Sequence, residues 1–275
     1  MKFIDVHCHL EDERFAIDLD EVIKRAEEVG VRSILVSGTN PEANRKVFEL
    51  TKKYPILKAS FGIYPIDAVV SNFPNLTDDY PRKIETFDYK KELEWIRKNK
   101  ESCISIGEVG LDLKVVEAHK DFEGIKRAQI EVFEAAIKLA KEINKPLILH
   151  TRGGELEVIE ILEKYKNELP PVVLHCFGGK KSLIKRAVEN GYYFSIPAVI
   201  KRLQHFQTLV EMVDLKQLLT ETDSPYLAPV AGGRSEPRDV VGTVDEIARI
   251  KGVTREGVAR QIWENAERVF SFSEQ

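Results

Sequence analysis

His7 and His9 stand one residue apart at the end of a short apolar run, in Asp5-Val6-His7-Cys8-His9. Side chains alternate faces along a strand, so the two histidines point the same way and Cys8 points the other. Two imidazoles on one face can share a divalent metal ion. The pair is a common pattern by itself, and its weight depends on what ends the other apolar runs. Glu108 follows Ser105-Ile106-Gly107, His150 follows Leu147-Ile148-Leu149, His175 follows Val172-Val173-Leu174, and Asp223 follows Leu218 to Thr222. Four of the six histidines therefore fall at the ends of strand-like runs, where chance would scatter them. Four imidazoles and two carboxylates suit Zn²⁺, Mn²⁺ or a similar ion better than the all-oxygen surroundings preferred by Mg²⁺. Six ligands exceed one tetrahedral site, so two ions are expected. Glu108 is the natural bridge, with His7, His9 and Asp223 around one ion and His150 and His175 around the other. Two ions ~3.5–4 Å apart can activate a water and stabilise charge on a phosphoryl group. Asp223 and Glu108 are the candidate catalytic residues, Asp223 also as proton acceptor from that water. A helix cap is the alternative role for Asp223. Gly107 and Gly110 are expected to let the backbone pass close to the metals.

The elements that must position these residues follow from the apolar pattern. Strand-like runs occupy 3–6, 33–37, 56–61, 103–106, 147–149, 172–174, 192–195 and 218–220. Amphipathic helical stretches lie between them at 19–29, 41–53, 89–99, 123–143, 156–165, 181–189 and 205–213, with two more at 240–251 and 255–269. Eight strands alternating with helices predict a (β/α)₈ TIM-type barrel spanning 1–275 as a single domain, with its active site at the C-terminal ends of the strands. An open doubly wound sheet is the alternative, but no Gly-rich dinucleotide fingerprint follows the first strand. The longest irregular stretch, 63–88, contains Pro65, Pro74 and Pro81, and a loop of that length is expected to be functional or mobile. Glu221 is a candidate partner for a metal ligand. Cys8 and Cys176 are expected to pack towards the helices, and His119 and His205 to lie on the surface.

At 275 residues and 43% hydrophobic, the chain can build a sizeable core. A net charge of −4 argues against general coating of nucleic acid and leaves room for a local basic groove. Arg152, Lys180, Lys181, Lys201, Arg202, Arg234 and Arg238 fall in predicted loops or helix starts on the active-site face, and together form a candidate positive rim for phosphates. Tyr64, Phe73, Phe177 and Tyr226 share those loops and are candidates for base stacking or for loop packing. The three cysteines, Cys8, Cys103 and Cys176, cannot all pair and read as reduced thiols. No apolar run approaches the ~20 residues of a membrane span, and no signal-peptide core precedes the first motif. A cytoplasmic monomer with no obligate protein partner is the expectation.

These motifs, taken in order, resemble the TatD-type metal-dependent deoxyribonucleases of the amidohydrolase superfamily. The resemblance runs from Asp-Val-His-Cys-His at 5–9 through Gly-Glu-Val-Gly-Leu-Asp at 107–112, Leu-His-Thr-Arg at 149–152 and His-Cys-Phe-Gly-Gly at 175–179. It continues with Glu-Thr-Asp-Ser-Pro-Tyr-Leu at 221–227, Arg-Ser-Glu-Pro at 234–237 and Asn265-Ala266. It implies a barrel with a divalent-metal centre acting on DNA phosphodiesters, and makes His7, His9, Glu108, His150, His175 and Asp223 the metal ligands. Two departures stand out. Gly62-Ile63-Tyr64-Pro65 has a tyrosine where the family's Gly-x-His-Pro has a histidine facing the substrate phosphate. Tyrosine donates a neutral hydrogen bond and carries no positive charge. Ser235 stands where the family's Arg-x-Glu-Pro often has Asn. The rival readings are a superfamily hydrolase of another ester or amide, and an inactive nucleic-acid-binding protein. Many hydrolases of the first kind place a modified lysine where this chain has Glu108, and the complete ligand set argues against the second.

Overall fold

Short runs dominated by Val, Ile and Leu become strands because their branched side chains fit a sheet buried on both faces. The computed structural model describes residues 1–73, 76 and 86–271. In chain order its elements are β1 (Phe3–Cys8), α1 (Leu19–Glu28), β2 (Val31–Ser37), α2 (Pro41–Lys53), β3 (Leu57–Phe61), α3 (Pro65–Val69), α4 (Tyr89–Lys98), β4 (Ser105–Gly110) and α5 (Phe122–Ile143). They continue with β5 (Leu147–His150), α6 (Glu155–Glu163), β6 (Val172–His175), α7 (Lys181–Glu189), β7 (Tyr193–Pro197), α8 (Gln204–Met212), β8 (Leu218–Glu221), α9 (Val240–Lys251) and α10 (Arg255–Phe270). The strands lie parallel in the order β1 to β8. Two backbone bonds draw the ends of that sheet together: Asp223 N donates to His7 O at 3.0 Å, and His9 N donates to Ser224 O at 2.7 Å. The nearly closed (β/α)₈ barrel therefore joins at the residues singled out for chemistry.

Local signals start and stop the helices. Asn40 caps α2 by accepting from Ala43 N at 3.0 Å, with Pro41 in the first turn. Asp88 caps α4 and Thr254 caps α10 in the same way. Asn144 ends α5 in the left-handed region at φ 51°. Ile125, Val132, Phe133, Ala136, Ile137 and Ala140 line the buried stripe of α5 at helical spacing, and each of the larger ones contributes about 1.5–3 kcal/mol by leaving water.

The structure extends several predicted strands and shifts others. β1 runs to Cys8 and β4 from Ser105 to Gly110, so His7 and Glu108 lie within strands rather than beyond them. The apolar pattern ends early because the last inward positions of these strands carry ligand-type side chains. The stretch expected to be irregular contains α3, a single buried turn begun by Pro65 and packed on α5. Pro74 and Pro81 of that stretch lie outside the described residues. Among the described residues no helix is long and apolar enough to cross a membrane.

Candidate metal centre

Six side chains from five strand ends meet above the barrel. His7 comes from β1 and His9 follows it; Glu108 comes from β4; His150 and His175 end β5 and β6; and Asp223 follows β8. Asp5, fully buried, fixes the β1–β8 seam beneath them. It accepts from His7 N at 3.2 Å, from Thr222 N at 3.0 Å and from the Thr222 hydroxyl at 2.5 Å. Asp223 itself sits in the left-handed region at φ 54°, and its side chain faces histidines instead of capping a helix.

Glu108 stands in the middle. Its Oε2 is 3.7 Å from His7 Nε2 and 3.5 Å from His9 Nε2, while Oε1 is 2.6 Å from His150 Nδ1 and 3.6 Å from His175 Nε2. Asp223 Oδ1 lies 3.5 Å from His7 Nε2 and 3.4 Å from His9 Nε2. Each ring is held from behind. Ser37 Oγ lies 3.1 Å from His7 Nδ1, His9 Nδ1 donates to Ser37 O at 3.0 Å, and Glu221 Oε2 lies 3.1 Å from His175 Nδ1. Such partners fix which nitrogen faces the centre.

The electrostatics match these contacts. Burial opposes charge on Glu108, yet the hydrogen bond from His150 and the nearby His7 and His175 outweigh it and hold the carboxyl below its ordinary range. Burial likewise opposes charge on Asp223, and contacts with His7 and His9 reverse the effect. Burial lowers His7, with the His175 ring adding to the shift, against the contacts with Asp223 and Glu108. Burial also works against charge on His150, but Asp112 and Glu108 push it up to about 10.

The arrangement fits a divalent ion. His7 Nε2 is buried with no hydrogen-bond partner, an expensive state that a cation relieves. The donor pairs of His7, His9, Glu108 Oε2 and Asp223 given above stand 3.4–3.7 Å apart. Around a tetrahedral ion with bonds of ~2.0–2.2 Å, ligand atoms stand ~3.3–3.6 Å apart. A second group, Glu108, His150 and His175, also gathers its ligand atoms within 4.8 Å. There the 2.6 Å contact between Glu108 and His150 is a hydrogen bond, and an ion entering this half displaces that proton.

Several sequence expectations need correction. Gly107 and Gly110 serve close strand packing: a Cβ would lie 2.7 Å from Ile148 O at Gly107 and 2.0 Å from His150 O at Gly110, where φ is 140°. Arg234 is not a free cation for phosphate. It pairs with Asp18 at 2.6 Å and Glu236 at 3.1 Å, and donates to Arg14 O. Arg238 lies 3.3 Å from Glu236, and Arg202 donates to Ala228 O at 2.8 Å. Lys180, Lys181 and Lys201 are exposed, and Arg152 is half-buried 3.8 Å from Asp112. Phe177 is fully buried edge-on to Phe194, which leaves packing as its role, and Phe73 is half-buried against the core. Cys8 packs as expected and donates to Leu35 O. Cys176 turns into the left-handed region at φ 44°, where strand alternation no longer sets its direction, and it lies within reach of the Glu221 and Asp223 charges. His119 and His205 are half-buried, and His205 Nε2 donates to Phe177 O at 2.9 Å.

The cleft over the centre opens to solvent, and no Lys or Arg side chain lines it among the described residues. Glu11, Asp12 and Tyr226 form one wall and Tyr64 stands in another. Sequence reasoning missed the first two, and also Arg14, which pairs with Asp12 at 2.8 Å and lies 4.3 Å over the Tyr226 ring. It also missed Asp112, whose Oδ2 lies 3.0 Å from His150 Nε2 and accepts from the Tyr64 hydroxyl at 2.8 Å. A carboxylate closing the same motif as Glu108 was the available signal.

Comparison with known proteins agrees with this architecture. An uncharacterized metal-dependent hydrolase of Methanocaldococcus jannaschii is 34% identical over 275 residues, covering 98% of this chain and 97% of that one. A 3'-5' ssDNA/RNA exonuclease TatD of Citrobacter rodentium is 28% identical, covering 98% of each chain. The crystal structure of the TatD homolog YjjV of Escherichia coli matches with a TM-score of 0.81 at 25% identity, again over 98% of each chain. Residues 4–271 match the family model described as TatD related DNase, and a barrel whose strand ends gather histidines and carboxylates in this way is a member of that family.

Proposed function

We propose that the chain hydrolyses phosphodiester bonds of DNA at a centre of two divalent ions, working from the end of a single strand as a monomeric, single-domain enzyme. The observation that carries this reading is the division of Glu108. One oxygen faces His7 and His9 and the other faces His150 and His175, as a carboxylate between two ions would. His7, His9, Glu108 and Asp223 would hold one ion, and Glu108, His150 and His175 the other. Bound divalent ions supply positive charge against the phosphate oxygens and make water easier to deprotonate.

The protein's own groups account for the rest. Asp223 and Glu108 stay ionised at neutral pH because histidines surround them. Asp223 has 13% of its side chain open to the cleft, against 4% for Glu108, which makes it the better acceptor for a proton from the attacking water. Lys180, Lys181 and Lys201, exposed beyond the cleft, would meet phosphates further along the strand. Membership of the TatD-related DNase family and the exonuclease relative support DNA as the substrate.

One observation favours a second reading. The cleft wall carries four carboxylates, Glu11, Asp12, Glu108 and Asp223, and no Lys or Arg side chain among the described residues, which suits an uncharged ester or amide. End-labelled single- and double-stranded DNA, incubated with Mg²⁺, Mn²⁺ or Zn²⁺ beside a panel of neutral esters and amides, separates the two. Mononucleotide release from single strands is the expected result. Turnover of a neutral substrate with no DNA cleavage under any ion would overturn the DNase reading.

A further inference from the structure

The half of the centre at His150 is supported differently from the rest. His7 and His9 lean on Ser37, and His175 leans on Glu221. His150 turns Nε2 to Asp112 Oδ2 at 3.0 Å, and that same oxygen accepts from the Tyr64 hydroxyl at 2.8 Å. Asp112 is fully buried and has little freedom. Its other oxygen accepts from Val115 N at 3.1 Å, and its backbone is clamped by Gln129, which accepts from Asp112 N at 2.9 Å and donates to Asp112 O at 3.1 Å. Tyr64 is equally fixed. It precedes Pro65 at the start of α3, its N–H donates to Thr39 O at 2.7 Å, and it is 5% exposed. Its ring stands edge-on to His150 with centroids 5.0 Å apart.

We propose that Tyr64 is a positioning residue for the metal half at His150: its hydroxyl holds the Asp112 carboxylate that orients the His150 ring, and so sets how tightly that half keeps its ion. The inference rests on the metal centre proposed above. A carboxylate gripped by two donors on one oxygen and a backbone amide on the other has one orientation. With the hydroxyl removed, Asp112 keeps Val115 N, His150 and the more distant Arg152 at 3.8 Å, and the ring and carboxylate can turn together more easily. Partners behind a metal-bound histidine typically carry about 10–100-fold of metal affinity. The half at His7, His9 and Asp223 has no contact with Tyr64 or Asp112 in this network and should be indifferent to the change.

The test is Tyr64→Phe in the full chain, titrated with Zn²⁺ against a competing chelator and compared with the wild type. One affinity should weaken by about 10–100-fold while the other stays the same. In the metal-free protein the ring nitrogen resonances of His150 should move while those of His9 hold still, and the unfolding midpoint reports any general loosening. Asp112→Asn should weaken the same ion, and the double variant should lose less than the two changes added together. Unchanged affinities in Tyr64→Phe would overturn the proposal. So would equal weakening of both ions with a lowered midpoint, which is the mark of a packing role. If the wild type binds no ion, the metal centre falls and takes this inference with it; if it binds ions and Tyr64→Phe matches it, only the inference falls.

Discussion

Replacing Glu108 by Gln keeps the shape of the side chain and removes the charge on which both halves of the centre depend. The amide has one oxygen, and its NH₂ group must point towards one pair of imidazoles, either His7 and His9 or His150 and His175. An NH₂ group offers no lone pair to an ion, so one half loses a ligand and the other keeps a neutral one. At an effective dielectric of about 20, a unit charge and a divalent ion ~4 Å apart interact by roughly 8 kcal/mol. Part of that is returned because the carboxylate no longer has to be desolvated, and removing one partner of a buried pair typically costs about 3–5 kcal/mol. With only 4% of the Glu108 side chain exposed, water has little access to replace the missing oxygen. The expected loss for the weaker half is therefore roughly 10²–10⁴-fold in affinity. Chelator-buffered Zn²⁺ or Mn²⁺ titration, with metal counted by mass spectrometry, should show stoichiometry falling towards one ion. A Glu108→Gln protein that loads two ions with wild-type affinity would refute the bridging role.

Asp223→Asn keeps one oxygen at the His7–His9 side but cannot take a proton, so single-turnover cleavage should slow by about 10²–10⁴-fold while DNA affinity is retained. An unchanged rate would remove Asp223 from the chemistry. Stripping the ions with a chelator should lower the unfolding midpoint. One ion at ~100 times its Kd adds about 2.7 kcal/mol, or about 5 °C for a chain of this length, and a midpoint unmoved by chelation would speak against a bound ion. Changing Lys180 and Lys181 together to Ala should flatten the salt dependence of single-strand binding by about 1.4, at ~0.7 per phosphate contact. Arg234→Ala should leave that slope intact and cost about 1 kcal/mol of stability, because Asp18 and Glu236 already occupy its guanidinium.

The barrel was readable because most strands carry short, largely buried apolar runs, clearest in β2, β5 and β6, between helices of clear period. The candidate ligand cluster was legible for a related reason: His7, Glu108, His150 and His175 each interrupt or end a buried strand, where a polar side chain has no place in packing alone. The strand limits were blurred by the same residues, since β1 and β4 continue through the polar positions. α3 escaped notice because five residues are too few to display a helical period. Phe177 was left between base stacking and loop packing because its residue type permits both, and only the fold, with Phe194 beside it, decides which. Asp112 was missed because its partners, Tyr64 and His150, are 48 and 38 residues away, and a contact among three separate segments leaves no spacing to read.

The basic residues make the limit plainest, since a charge is visible in a sequence and its counter-charge is not. Around the seam between β8 and β1, each arginine with a resolved ion pair has been claimed by an acid: Arg14 by Asp12, Arg25 by Glu236, and Arg234 by Asp18 and Glu236. The partner of Arg234 at Asp18 is 216 residues away. Next along the barrel, after β6 and β7, Lys180, Lys181 and Lys201 form no ion pair among the described residues and stand exposed. A compensated guanidinium gives little field to a phosphate, while an exposed lysine keeps its charge and releases counterions when DNA arrives. A set of cations that looked like a uniform ring is therefore one-sided, and a strand end seated at Glu108 would run out over β6 and β7 rather than over β8 and β1. Crosslinks from a photoreactive oligonucleotide should fall on the α7 and α8 side, and crosslinks concentrated on the Arg14–Arg234 side would reverse the assigned path.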